Sequence, residues 1–169
     1  GAGADIGGEH DEFFYLFTSL PENGSLSVRL WEFVHVDEWS KAGLMVREGL
    51  DPDAPTGLLY VSGEDGALLQ GRAEPGAATS SSGQVEELGA GTWLRLGRWG
   101  NEVVGEYAVD GFDWNQLGRY NLELSGDAYI GLAVTSHAAA KEATAGFTDL
   151  RLALGDIGSP PARDDGLAP

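Results

Sequence analysis

The chain has 169 residues, with 27 Asp and Glu against 10 Lys and Arg, and a net charge of −17. Nucleic acid and anionic membranes are therefore not expected as partners, because binding them depends on basic groups that neutralise phosphates. The lack of cysteine excludes disulfides, thiolate metal sites and cysteine catalysis, while 42% hydrophobic residues suffice for one domain with a sizeable core.

No apolar run approaches the roughly 20 residues that span a bilayer, so no membrane insertion is expected. Only Lys41 and Lys141 are lysines. An acidic, Lys-poor surface fits a soluble secreted protein, and an extracellular or cell-surface location is the expectation.

In chain order, residues 1–8 (GAGADIGG) read as a loop or a frayed opening. Residues 13–17 (FFYLF) are a dense run of strand formers, expected to lie between two layers and to be buried on both sides. Pro21, Glu22, Asn23 and Gly24 make a turn. Residues 25–35 then alternate, with Leu26, Val28 and Leu30 on one face and Ser27, Arg29, Trp31 and Phe33 on the other. Residues 42–47 (AGLMVR) read as another strand. The stretch 51–55 (DPDAP) is a loop that excludes regular structure. Residues 57–62 and 67–73 read as a hairpin about Glu64, Asp65 and Gly66. Residues 75–83 (PGAATSSSG) have the composition of a flexible surface loop.

The clearest stretch is 93–111, WLRLGRWGNEVVGEYAVDG. Leu94 and Leu96 alternate with Trp93, Arg95 and Gly97. Val103, Gly105, Tyr107 and Val109 alternate with Val104, Glu106 and Ala108. Gly100 and Asn101 between them suit a tight hairpin turn. Asp110 and Gly111 mark the next turn. Residues 120–124 and 129–136 read as strands, the second apolar enough to be central. Residues 138–144 (AAAKEAT) read as a loop with one turn, too short for an independent helix. Residues 145–154 close the series with Phe147, Leu150, Leu152 and Leu154. Short strands at regular spacing, punctuated by Gly, Pro and Asp, predict an all-β fold: an antiparallel two-sheet β-sandwich over residues 1–154. Residues 155–169 (GDIGSPPARDDGLAP) change character and read as a C-terminal tail or linker.

Several motifs together resemble a known family. They are KAGLMVR at 41–47, WLRL at 93–96 with Arg98, Gly100 and Asn101, then Asp110 and Gly111 with Trp114. GLAVTSH at 131–137 and AGFTD at 145–149 complete the set. In this order they resemble the concanavalin A-like (laminin-G-like) modules of secreted proteins. The resemblance implies a jelly roll of two packed sheets and a mostly non-catalytic role in carbohydrate binding, adhesion or structure. It departs at one point. Such modules open with a segment like Asp-Ile-Gly-x-Pro, which here stands at the far end as Asp156, Ile157, Gly158, Ser159 and Pro160. That placement suggests a tandem array, or a tail strand that completes the sheet of the next copy.

Candidate chemistry is sparse. Glu9, Asp11 and Glu12 come nearest to the paired carboxylates of a glycosidase, but Phe13 and Phe14 stand where a third acid is wanted. His10, His35 and His137 show no metal spacing, and His137 reads as a hydrogen-bonded loop residue. Calcium is a candidate ion, with Asp51, Asp53, Asp65 and Asp127, and Glu64 beside them, in loops as oxygen ligands. For glycans, Trp39, Trp99 and Trp114 sit at strand ends or turns where an aromatic platform forms. Trp31 and Trp93 are expected in the core by their size. Arg47, Arg95 and Arg98 are expected to pair with local acids. Two functional readings follow: an extracellular, non-catalytic structural module that assembles with copies of itself or adjacent modules into filaments or surface layers through its tail, or a lectin-like carbohydrate-binding module. A glycan-active enzyme is the third class.

Overall fold

The computed structural model describes residues 1–125 and 127–163. Among the described residues thirteen strands form and there is no helix. They are β1 (Asp5–Gly7), β2 (His10–Glu12), β3 (Phe14–Leu20), β4 (Asn23–Val34), β5 (Lys41–Glu48), β6 (Thr56–Ser62) and β7 (Gly66–Arg72). Then follow β8 (Ser80–Val85), β9 (Trp93–Trp99), β10 (Glu102–Ala108), β11 (Asn115–Asn121), β12 (Ala128–Thr135) and β13 (Thr144–Leu154). A five-stranded sheet, β11-β10-β9-β4-β13, faces a six-stranded sheet, β3-β12-β5-β6-β7-β8. Every recorded pairing is antiparallel. The expected all-β jelly-roll sandwich is the observed fold.

The main core lies between the sheets and follows the period of two. Leu26, Val28 and Leu30 of β4 meet Leu44, Val46, Leu59 and Leu69 from the opposite sheet, with Leu94 and Leu96 beside them. The hairpin β9–β10 turns at Gly100 and Asn101, with Trp99 opposite Glu102. Gly100 has φ 60° and Asn101 does not share a positive φ, which is the backbone pattern of a type II′ turn.

A second, smaller core lies on the outer face of the six-stranded sheet. There the β1–β2 hairpin covers the sheet, and Ile6 is buried against Met45, Leu58, Tyr60 and Leu68. Strands β5, β6 and β7 are therefore covered on both faces, and the polar side chains on the covered outer side, among them Lys41, Arg47 and Arg72, are buried as well. Burying one Ile side chain this way contributes about 1.5–3 kcal/mol.

Ion pairs fasten the hairpin at both ends. Lys41 Nζ donates to Asp5 Oδ1 at one end. At the other, the Arg72 guanidinium holds both oxygens of Asp11, with Nη2 to Oδ1 at 2.7 Å and Nη1 to Oδ2 at 2.9 Å. Arg72 also donates to the carbonyls of Gly8, Ala54 and Ala77, which ties the loops before β6 and after β7 to the hairpin. Arg47 Nη1 lies 3.5 Å from Asp11 Oδ2, and its guanidinium sits 5.2 Å from the Phe13 ring centroid. Burial lowers the pKa of Arg47, and Asp11 opposes that shift.

Five expectations need correction. Residues 1–8 are not frayed: they lead into β1, and the Gly1 amine donates to Ala143 O at 2.7 Å. Residues 13–17 are not buried on both sides, because β3 is an edge strand: Phe14 is 56% exposed and Leu16 60%. The stretch 75–83 is not wholly loop, since Ser80–Val85 pairs with β7 as β8, and backbone pairing needs no apolar side chains. The strand expected at 120–124 lies earlier, at Asn115–Asn121, with Leu122 buried just beyond it. Among the described residues Arg98 pairs with no acid; it donates to the carbonyls of Gly100 at 2.7 Å and Pro21 at 3.5 Å.

Asp11→Ala would leave two buried guanidinium groups without their counter-charge. The expected loss of stability is about 3–5 kcal/mol, seen as a fall in the urea midpoint at unchanged slope. An unchanged midpoint would refute the structural role of this carboxylate.

Candidate functional site

The sandwich has two outer faces. The hairpin β1–β2 and its ion pairs seal the central strands of one of them. Among the described residues no hairpin crosses the outer face of the five-stranded sheet at the end where β9 begins; there Glu106 and Ala108 of β10 are buried, while Trp31 of β4 is exposed. This face bears the residues that alternate away from the core: Ser27, Arg29 and Trp31 on β4, Trp93, Arg95, Gly97 and Trp99 on β9, and Glu106 on β10.

Indole rings rest on glycine backbone across this face. A Cβ added to Gly146 would meet Trp31 Cδ1 at 2.7 Å, one on Gly111 would meet Trp93 Cε2 at 2.7 Å, and one on Gly97 would meet Trp99 Cζ3 at 2.4 Å. Each glycine leaves the space that its indole fills. Trp31 is 58% exposed, and Trp93 is half-buried. Both were expected in the core, and both lie on the outer face instead. Trp93 pairs with Arg29, and Trp31 follows two residues along β4, so the two indoles are diagonal neighbours about 7–8 Å apart in backbone position.

Polar groups flank them. Arg95 forms a two-pronged pair with Glu106, 2.6 Å for each contact, and its guanidinium lies 4.2 Å from the Trp114 ring centroid. Arg29 Nε donates to Gly91 O at 3.4 Å and borders a shallow cleft of about 360 Å³ with Glu87, Thr92 and Val109. The loop after β10 is shaped by Asp110, whose carboxylate accepts from the amides of Phe112 and Asp113. These backbone hydrogen bonds, from Asp113 first and then Phe112, hold its pKa below the usual carboxylate value. The same loop places Gly111 under Trp93 and leaves Phe112 84% exposed.

The tryptophans expected to form a platform do not come together. Trp114 stands on this face beneath Arg95. Trp99 is on the same face but at the far end of β9, where its Nε1 donates to Gly158 O at 3.0 Å. Trp39 lies in the crossover loop between β4 and β5. Parity along β4 and β9 places Trp31 and Trp93 outward with Arg29 and Arg95; this signal outranks residue size.

The tail lies on its own chain. Gly155 N donates to Asn23 O at 2.9 Å, Arg119 Nη2 donates to Pro161 O, and Arg163 pairs with Glu102 at 3.2 Å. Asp156, Ile157, Gly158, Ser159 and Pro160 thus run along the sheet end opposite Trp31, and donating them to another copy requires these contacts to break. Residues 164–169, the end of the tail, fall outside the described residues.

Among the described residues the acidic loop residues are not gathered in one place. Asp51 and Asp53 precede β6 and Asp65 follows it, so the length of that strand separates them. Asp65 accepts from the Tyr60 hydroxyl at 3.0 Å, while Asp127 O receives Gly49 N at 2.8 Å. Among the described residues, no group of three His, Asp or Glu side chains is close enough to hold a metal ion. His137 is a loop residue with φ 53°, 3.2 Å from Asp37 through Nδ1.

The two packed antiparallel sheets define the class: a jelly-roll β-sandwich. Solved structures of that class are similar to this chain. A functionally unknown protein from Saccharomyces cerevisiae aligns with 85% of this chain and 75% of its own at 17% identity and TM-score 0.63. A GH43 protein, BlXynB, from Bacillus licheniformis aligns at 14% identity and TM-score 0.61, over 83% of this chain but 33% of its own. Sheep galectin-11 aligns over 83% of this chain and 97% of its own, at 10% identity and TM-score 0.50. At these identities the likeness is one of fold. No protein-family model matches the sequence, and the search of curated proteins gives no match.

Arg95 and Glu106 should be energetically coupled, because Glu106 is 4% exposed and Arg95 is its partner. Arg95→Ala is expected to cost about 2 kcal/mol, and the double variant with Glu106→Ala less than the sum of the singles by about 1 kcal/mol or more. Additive losses in a denaturation cycle would show that the pair contributes nothing.

Proposed function

We propose that this chain is a non-catalytic, lectin-like carbohydrate-binding module of an extracellular protein, and that glycans lie on the outer face of the five-stranded sheet. The observation that carries the reading is the pair of indoles, Trp31 and Trp93, resting on glycine backbone on the unsealed face. The apolar C–H face of a sugar ring stacks on such a flat, fixed aromatic surface, and the rings lose little freedom on binding because they are already held. Arg29, Glu87 and Thr92 at the adjoining cleft supply donors and acceptors for hydroxyl groups. The kinship of fold with a galectin and a GH43 protein supports the same reading. The acid-rich composition agrees with a soluble protein outside the cell. A non-catalytic role fits the placement of Asp11, the central residue of the three clustered acids, as a buried partner of two arginines.

A glycan array followed by calorimetry on the best ligand tests the proposal. Trp31→Ala and Trp93→Ala are each expected to weaken binding tenfold or more. Trp39→Ala, and truncation after Leu154, should leave it within about twofold. No binding to any glycan, or binding lost with Trp39 and kept without Trp31, would overturn it.

A further inference from the structure

The two flanks of the sandwich are built differently. On one, the sheets close on each other. A Cβ on Gly83 of β8 would lie 1.9 Å from Leu117 O of β11, and Ser80 Oγ is 3.3 Å from the Tyr120 hydroxyl. On the other flank, β3 and β13 stand apart. Between them runs an apolar groove of about 160 Å³, lined by Leu16, Leu26, Ile130, Leu132, Leu150 and Leu152.

The four edge strands also differ. β13 has two register shifts, a positive φ at Asp149, and the charges of Asp149 and Arg151. The β7–β8 pairing is shifted between Leu69 and Gln70, and β8 is polar. β11 has an irregular register, and the tail binds its Arg119. β3 has none of these features. Its seven residues, FYLFTSL, pair with β12 in unbroken register, without a charge or a proline. A flat, uncharged edge is a template for another strand, which protein sheets ordinarily guard against.

We propose that β3, with the groove behind it, docks a second copy of this chain by antiparallel β3–β3 pairing about a two-fold axis at Phe17. The strand is complementary to itself about that point. Phe14 falls opposite Leu20 and Leu16 opposite Thr18 on the groove side, with Tyr15 opposite Ser19 and Phe17 opposite its copy on the outer side. No like charges meet within the strand pair, although each copy carries −17. Leu150, Leu152 and Leu154 border the same seam and are 54%, 42% and 45% exposed. With Phe14, Leu16 and Phe17 they open on the order of 500 Å² of apolar surface per copy, about 1,000 Å² for the pair before the strand backbone adds its share. The pair total approaches the area of a specific interface, and the patch on each copy is at the upper end of the roughly 300–600 Å² that a monomer's largest apolar patch covers. The result is one continuous sheet across two copies.

Sedimentation of the full chain over a range of concentrations, at low and high salt, tests the proposal. A dimer is expected, tighter at high salt because screening relieves the repulsion between two acidic bodies. Leu16→Lys should weaken it tenfold or more, with an unchanged unfolding midpoint at protein concentrations low enough for the parent chain to be monomeric, because Leu16 is exposed in the single chain. The chain has no cysteine, so Phe17→Cys should cross-link only to its own copy under mild oxidation. Ser82→Cys on β8 should not. Monomers at every concentration would overturn the proposal, as would a dimer indifferent to Leu16→Lys that lacks the cross-link at 17. Saturable binding of a synthetic peptide of residues 155–163 to β3 in place of self-pairing would overturn it too, and would assign the edge to a donated tail.

Discussion

One buried carboxylate, Asp11, organises the first fifth of the chain. Two guanidinium groups, those of Arg47 and Arg72, are removed from water on the outer face of the six-stranded sheet. Burying two cations without an anion costs several kcal/mol each, so the hairpin that brings Asp11 has to be in place when the face is covered. Arg72 is fully engaged, by Asp11 and by the carbonyls of three loops. Arg47 is less well served: its Nε is buried without a hydrogen-bond partner. The aromatic ring of Phe13 and the Asp51 carbonyl offset part of that penalty. The network gives the hairpin one position, and Ile6 then finds its pocket above Met45 and Leu58.

That closure makes the two outer faces unlike. With the centre of one outer face occupied by the chain's own N-terminal segment, the aromatic rings of that face stand at its β3 edge, whereas the opposite face presents Trp31 and Trp93 on β4 and β9. The indoles there are preorganised by glycines beneath them rather than by the core, so a ring can be exposed and still fixed. The tail occupies the far end of this face through Trp99, Arg119 and Glu102, which confines the open aromatic area to the end bearing Trp31 and Trp93. The flanks divide in the same way. Where β8 and β11 meet, glycines allow the backbones to touch; where β3 and β13 part, leucines fill the space instead.

Much of the sandwich was legible in the sequence because the period of two is a local property. Leu26, Val28 and Leu30 alternate with Ser27 and Arg29 wherever the strand is placed, and the hairpin at 93–108 announces its turn with Gly100. The aromatic site was half legible. Alternation sends Trp31 and Trp93 outward in step with Arg29 and Arg95, but the size of an indole argues for the core. Nothing local says that Gly146 and Gly111 will lie beneath those rings. Asp11 beside Glu9 and Glu12 looks like an acidic cluster; its partners are 36 and 61 residues away in sequence, at Arg47 and Arg72.

By itself, the sequence determined the all-β class, most strand positions and which residues of β4 and β9 share a face, since each depends on residues within one strand. Tertiary structure alone decided whether a strand is central or at an edge, and what covers a sheet. FFYLF reads the same between two layers as at an open flank, and AGLMVR becomes doubly buried only because a hairpin from residues 5–12 lies over it. Such facts depend on contacts between segments far apart in the chain. Those contacts are set by backbone pairing and by the burial of charges, and neither leaves a period in the sequence.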